Sequence, residues 1–375
     1  MPTHSGDPSR TTPAPAAEPV SQPASAPVSQ PASAPVSQPA TAPVSQPAAV
    51  PVSEPAPAPA PASSADAPSP EGAAAPQCLA APLARIGFDR DGLHREDVAP
   101  SGDDVRYVVS SGASISVADG PDGVRLALEA TDPRPDPSHP LVYLGRLGEH
   151  RVVAADVPEP SAELDDPGRD LRELRRVAAQ LSHEEAGIAL TAVGMGAWHR
   201  AHRHCPQCGG ALAPESAGWV LRCREDATPH FPRTDPAVIM AVRDADDRLL
   251  LARNASFRGR FHSVLAGFVE PGETLEGAVA REVREEVGID VEQVEYAGSQ
   301  PWPFPRSLML AFRARAARGS GALALQEEEI AEAAWWTRED LVPALAAGRI
   351  ALPGPESIAR ALIEDWYGGA LPDAR

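Results

Sequence analysis

The sequence predicts an α+β chain built of several small units behind a low-complexity tail. Three features carry this expectation. Short apolar runs broken by Gly, Asp and Pro fill residues 86–157, a paired-cysteine cluster begins at Cys205, and an amphipathic helix follows the Pro271-Gly272 turn. A length of 375 residues leaves room for two or three domains.

The tail comes first. Residues 1–80 are rich in Pro, Ala and Ser, and SQPASAPV at 21–28 returns in close variants at 29–36, 37–44 and 45–52. Such a segment has almost no large apolar side chains to offset backbone ordering, so it is expected to be disordered and biased to polyproline II. No basic residue flanks a PxxP core, which favours a plain tether over a docking strip. The whole chain carries 33 basic against 52 acidic side chains, a formal charge of −19. All of the basic residues are arginine. A polyanion of this kind is a poor general nucleic-acid binder. No run of 18 apolar residues is present, so no membrane span is expected. Residues 1–30 lack a basic start followed by an apolar core, and four cysteines cannot form a disulfide framework. A cytoplasmic setting is the expectation.

Residues 83–202 form the next unit. Runs such as Val105–Val109 and Leu141–Leu144 predict a small β-rich domain. From Leu171 to about His202 the period shifts to a helical stripe, through Leu174, Val177, Leu181 and Ile188. No chemical motif is legible here, so a scaffold or dimerisation role is expected.

Residues 203–233 have the outline of a zinc ribbon. Cys205-Pro-Gln-Cys208-Gly-Gly places two thiolates within reach of one metal, and Cys223 follows 15 residues later. The fourth cysteine is missing, because Cys223-Arg-Glu-Asp226 has aspartate in its place. Three arrangements stay open: Asp226 ligates through oxygen, His230 supplies a nitrogen, or the ribbon has lost its metal and is held by packing around Trp219 and Phe231. Structural Zn²⁺ is the favoured expectation.

The chemistry concentrates in residues 234–368. Between Gly267 and Ile289 a turn at Pro271-Gly272 leads to Thr274, a fitting N-cap for a helix that runs to Val287 and stops at Gly288. Leu275, Ala278, Val279, Val283 and Val287 form its apolar stripe. Glu282, Glu285 and Glu286 stand at i, i+3 and i+4, on one face. Adjacent carboxylates repel unless cations neutralise them, and oxygen-only donors on a rigid helix suit Mg²⁺ or Mn²⁺. Some ten residues past this helix, Ser299-Gln300-Pro301-Trp302-Pro303-Phe304-Pro305-Arg306-Ser307 has three alternating prolines that present Trp302 and Phe304 as stiffly held rings.

The pattern Gly267-x5-Glu273-x7-Arg281-Glu282-Val-x-Glu285-Glu286-x-Gly288-Ile289 resembles the Nudix box, with every fixed position filled. Together with SQPWPFP and the preceding ribbon, residues 83–368 resemble NADH pyrophosphatases of the Nudix superfamily. The resemblance implies an α/β/α sandwich around a mixed sheet, preceded by the ribbon and a β-rich domain. It implies that Glu282, Glu285, Glu286 and Glu329 are Mg²⁺ or Mn²⁺ ligands, joined by the Ala266 carbonyl. One of Glu285 and Glu286 would also take the proton of the attacking water, and Glu273 would pair with Arg281. Phe231, the segment Gln300, Pro301, Trp302, Pro303, Phe304, Pro305, Arg306 and Ser307, and Ala359 would contact substrate. The family often has Tyr where Phe231 stands.

The activity implied is metal-dependent cleavage of NAD(H) to nicotinamide mononucleotide, reduced or oxidised, and AMP. Two alternatives use the same bond: removal of NAD caps from RNA 5′ ends, and broader hydrolysis of ADP-ribose or dinucleotides. A non-catalytic ligand-sensing module is disfavoured because all box glutamates are present. The resemblance also implies a homodimer with residues of both chains near the substrate.

Overall fold

The computed structural model describes Leu79 and residues 87–372, apart from 97–100, 122, 135, 137–138, 158–168 and 257–258. The repeat tail, Cys78 and Leu83 lie outside the described residues.

β-Branched residues alternating with polar ones build the first sheet. It comprises β1 (Val105–Ser111), β2 (Ser114–Gly120), β3 (Gly123–Leu126), β4 (Leu128–Glu129), β5 (Leu141–Leu147), β6 (His150–Asp156) and β7 (Asp170–Glu173). The main order is β3-β2-β1-β6-β5, with β4 on β1 and β7 on β2. One face, through Val108, Ile115, Leu144 and Val152, is buried with Ile188 and Trp198 in a common core. A short α1 (Leu174–Val177) precedes α2 (His183–Ala201), the helix that carries those two residues. α2 opens with a capping box: Ser182 Oγ accepts from the Glu185 amide at 3.2 Å, and the Glu185 carboxylate accepts from the Ser182 amide at 3.2 Å. The helical stripe expected from Leu171 onward begins later than that. Leu171 is a strand residue paired with Ser116 of β2, so sheet pairing captures it before the helical period starts.

The ribbon follows as β8 (Leu212–Glu215), β9 (Val220–Cys223) and β10 (Pro229–His230), an antiparallel sheet with β9 in the middle. Trp219 closes it against the first domain, its indole N–H donating to the Tyr143 carbonyl at 2.7 Å.

The third unit is a three-layer sandwich. Its mixed sheet contains β11 (Asp235–Arg243), β12 (Leu249–Asn254), β13 (Leu265–Phe268), β14 (Val291–Trp302), β15 (Ser307–Ala316) and β16 (Ile330–Trp336). β11 runs parallel to β15 and antiparallel to β12 and β13. The strand period of two explains the layering. Val238, Met240 and Val242 of β11 are buried on one face, with Ala278, Val279 and Val283 of α3 (Leu275–Val287). Ile239 and Ala241 are buried on the other, with residues of α4 (Arg338–Ala346) and α5 (Ile358–Tyr367). A strand covered on both faces reads as a continuous apolar run, as AVIMAV at 237–242 does.

Candidate active site

The loop–helix element forms as its sequence dictates. Thr274 Oγ1 accepts from the Gly277 amide at 3.1 Å and caps α3. Gly288 ends the helix at φ +73°, a left-handed conformation that glycine adopts without Cβ strain. Gly267 has a different reason to be glycine: a Cβ there would lie 1.9 Å from the Glu282 carboxyl carbon. The absent side chain is what lets the Glu282 carboxylate rest against the β13 backbone.

Glu282, Glu285 and Glu329 line one open cavity of about 590 Å³ with Ala266, Gly267, Phe268, Glu270, Arg281 and Gln326. Glu286 stands behind it, only 5% exposed, with Oε2 buried and lacking a partner among the described residues. Burial, reinforced by the charges of Glu282, Glu329 and Glu285, pushes the Glu286 carboxyl up to about 8. Burial also raises Glu282. Arg281 supplies the local countercharge: Nη1 donates to Glu282 at 2.8 Å and to Glu285 at 3.0 Å, while its other nitrogens hold Glu273. One guanidinium among six acidic side chains, Glu270 and Glu273 included, leaves the group anionic. An orphaned buried carboxylate oxygen beside converging oxygen donors fits a hard divalent cation. Sequence reasoning singled out the three box glutamates, Glu329 and Ala266. It missed Phe268, Glu270 and Gln326. The ring of Phe268 is 60% exposed beside the carboxylates, and an aromatic residue placed one after the close-packed Gly267 is the signal that would have found it.

A second cavity, of about 990 Å³, lies between the first domain and the sandwich. Gln300, Trp302, Met309, Ile239, Ser263 and Ala359 line it from the sandwich; Glu173, Arg175, Arg176 and Gln180 line it from the α1 region. The first domain thus contributes side chains to this cavity, and nothing in its sequence announces this, because only the fold brings α1 there. The proline-stiffened segment is placed differently from an open aromatic shelf. Trp302 and Phe304 meet edge to face, with centroids 5.1 Å apart, and both pack against the core of the first domain. Trp302 reaches the cavity and Phe304 is not among its lining residues. Pro303 is buried against Gly194 of α2. Pro305 is exposed, and Arg306 pairs with Asp235 at 2.6 Å. Gln300 is 1% exposed: Nε2 donates to the Glu356 carbonyl at 2.7 Å and Oε1 accepts from the Ile358 amide at 2.8 Å. Its side chain forms part of the cavity wall and ties that wall to the start of α5. Phe231, 59% exposed, lies outside both cavities.

In the ribbon, ligand atoms of Cys205, Cys208, Cys223 and Asp226 all lie within 4.8 Å of one another. The Cys208 and Cys223 sulfurs are 3.4 Å apart, and Cys205 Sγ is 3.7 Å from Asp226 Oδ2. A tetrahedron with Zn–S arms near 2.3 Å has edges of roughly 3.8 Å, so the donor set fits zinc. The Thr228 amide at 2.9 Å, with the neighbouring thiols, holds the Asp226 carboxyl below its ordinary range and keeps it anionic. The Gly210 amide donates to Cys208 Sγ at 3.4 Å. His230, on β10, is not among the four; it pairs with Leu221 of β9.

Three family models match in succession: a "NADH pyrophosphatase-like rudimentary NUDIX domain" over residues 105–198, a "NADH pyrophosphatase zinc ribbon domain" over 200–231, and a "NUDIX domain" over 233–353. The NAD-capped RNA hydrolase NudC of Mycobacterium bovis (strain BCG / Pasteur 1173P2) is 40% identical over 302 residues, covering 76% of this chain and 94% of that protein. Its namesake from Mycobacterium tuberculosis (strain H37Rv) is 39% identical over the same shares. That of Shigella flexneri is 43% identical over 178 residues, 48% of this chain and 65% of that protein. With the box helix, the ribbon and the rudimentary domain matched in order, and with identity running almost the full length of the mycobacterial proteins, this chain belongs to the NADH pyrophosphatase family of Nudix hydrolases.

Proposed function

We propose that the chain hydrolyses the diphosphate of NAD(H), free or as the 5′ cap of an RNA, to nicotinamide mononucleotide and AMP or an AMP-ended RNA. The observation that carries this reading is the convergence of Glu282, Glu285 and Glu329 on one cavity, in front of the buried, unpartnered Glu286. These carboxylates and the Ala266 carbonyl would hold Mg²⁺ or Mn²⁺. Such an ion, when bound, neutralises phosphate oxygens and lowers the pKa of a coordinated water. The chain's own residues do the rest. Glu285 is half exposed at the cavity mouth, tethered only by Arg281 among the described residues, and is placed to take the proton from the attacking water. Arg281 holds Glu282 and Glu285 in place for each turnover. The Trp302 ring and Met309 give the dinucleotide an apolar wall, and Ala359, at the start of α5, lines the same cavity. The exposed rings of Phe268 and Phe231 are available to stack on a base.

Zn²⁺ in the ribbon is proposed to be structural, held by Cys205, Cys208, Cys223 and Asp226. A homodimer is proposed from the family resemblance, and light scattering that finds only monomer would remove it. No helix among the described residues is long and apolar enough to cross a membrane.

The deciding experiment incubates the protein with Mg²⁺ or Mn²⁺ and equal amounts of NADH, NAD⁺, ADP-ribose and an NAD-capped RNA, and resolves the products by mass spectrometry. Nicotinamide mononucleotide and AMP as dominant products are expected. Cleavage of ADP-ribose alone would overturn the NAD(H) assignment.

A further inference from the structure

We infer that a second, arginine-lined cavity beside the dinucleotide cavity binds the phosphodiester backbone of the RNA that follows an NAD cap. The inference rests on the proposed cleavage of NAD diphosphate. The cavity, of about 300 Å³, is lined by Arg90, Trp219, Arg233, Trp302, Arg306 and neighbouring residues of α2. Trp302 lines the larger cavity as well, so the two share one wall.

Three arginines and no Asp or Glu line this cavity. Many arginines of this chain of net charge −19 are held by carboxylates. Arg172 is held by Asp119 and Asp170, Arg248 by Asp244, and Arg313 by Asp365. Those around Trp219 are placed differently. Among the described residues no carboxylate pairs with Arg90, Arg95 or Arg233. The Arg95 guanidinium lies 3.7 Å from the centre of the Trp219 ring, and its Nε is buried without a partner. Burial, together with the charge of nearby Arg90, pulls Arg95 below its ordinary range. Guanidiniums held near one another without an anion are a standing cost that a bound anion removes.

Position and ring chemistry choose the anion. In an NAD-capped RNA the chain continues from the adenosine 3′-oxygen, so the nucleotides that follow must leave the dinucleotide cavity past one of its walls. Trp302 is such a wall, and behind it stand Arg90 and Arg233, without a carboxylate partner among the described residues, with a second indole, Trp219. Alternating aromatic faces and cations suit single-stranded nucleic acid, in which bases stack and phosphates pair. Free NAD(H) has no further phosphate and gains nothing there. The cavity would thus favour capped RNA over the free dinucleotide without any change at the carboxylates, and it offers an overall polyanion a local site for a polyanionic substrate.

The test uses the full-length protein and the double variant Arg90→Gln/Arg233→Gln, assayed on NADH and on an NAD-capped ten-nucleotide RNA. Removing unpaired charge should leave the melting temperature unchanged or raised. The KM for capped RNA is expected to rise about tenfold, and kcat and the NADH parameters are expected to hold. The salt dependence of kcat/KM for capped RNA should flatten by a slope of about 1.4, for two lost phosphate contacts. Fluorescence anisotropy of a 5′-monophosphorylated ten-nucleotide RNA should show weakened binding in parallel. An unchanged KM for capped RNA, or an equal loss on both substrates, overturns the inference while leaving NAD hydrolysis intact. Wild-type protein inert toward both substrates overturns the proposed function, and the inference falls with it.

Discussion

Arg281 grips Glu273 with two parallel hydrogen bonds, Nε to Oε1 at 2.8 Å and Nη2 to Oε2 at 2.9 Å. The same Nη2 donates to the Phe268 carbonyl at 2.8 Å, and Nη1 reaches Glu282 and Glu285. One planar fork therefore ties the end of β13, the turn and the acidic face of α3. Lysine keeps the charge but cannot reproduce this geometry. Arg281→Lys should lower kcat by at least about tenfold through misplaced carboxylates, with a melting temperature a few degrees below wild type. A variant with wild-type kcat would show that charge alone is required at this position.

Glu286 poses the opposite case, a group that destabilises the fold it serves. Its carboxyl is raised to about 8 by burial and by its acidic neighbours. In metal-free protein the folded state keeps a proton that the unfolded chain releases above its ordinary value near 4.5. Stability should therefore fall as pH rises from about 4.5 toward 8, by up to about 1.4 kcal/mol per pH unit. Glu286→Gln removes that slope. In chelator at pH 8 the variant should melt above wild type, and with Mg²⁺ its turnover should fall on the order of 10²–10³-fold. Thermal melts across pH, with and without divalent metal, check both limbs. A variant that melts lower at pH 8 and still turns over would contradict the assignment.

The ribbon tests aspartate as a zinc ligand. Asp226→Ala should lower zinc content after dialysis against a weak chelator, whereas Asp226→Cys should retain at least the wild-type amount, since thiolate is the softer donor. His230→Ala should leave the metal in place. Metal stoichiometry by mass spectrometry reads all three. Zinc retained in Asp226→Ala and lost in His230→Ala would exchange the two roles.

These residues show unequally how much was legible in the chain. The box helix could be read almost to the atom, because its cap, stripe, acidic face and terminal glycine are all local, within 23 residues. The sandwich layers were legible only through the resemblance, since a strand buried on both faces, such as β11, has no alternation to display. Glu329 has no local signature either; it joins Glu282 because β16 returns beside β12. The arginines around Trp219 were invisible, being drawn from positions 90, 95 and 233 and assembled only by tertiary packing. The SQPWPFP segment reads in the sequence as an open aromatic shelf, which is too simple. Its rings serve partly to dock the first domain, and this cannot be seen until that domain's core is placed.

Gln300 separates shaping from contact most sharply. Its amide bridges the Glu356 carbonyl and the Ile358 amide, joining the aromatic segment to the N-terminal end of α5, where Ala359 faces the cavity. Leucine fills similar volume and leaves both backbone groups unpaired in a buried place, at a cost of about 1–3 kcal/mol. With those bonds gone, the Pro353–Ser357 wall loses its fixed distance from Trp302. Gln300→Leu should therefore raise the KM for NADH by about tenfold with kcat within a factor of about two, the pattern of lost uniform binding. A fall in kcat at constant KM would place the Gln300 side chain at the reacting phosphates instead. Unchanged kinetics in a folded, destabilised variant would confine its role to holding α5.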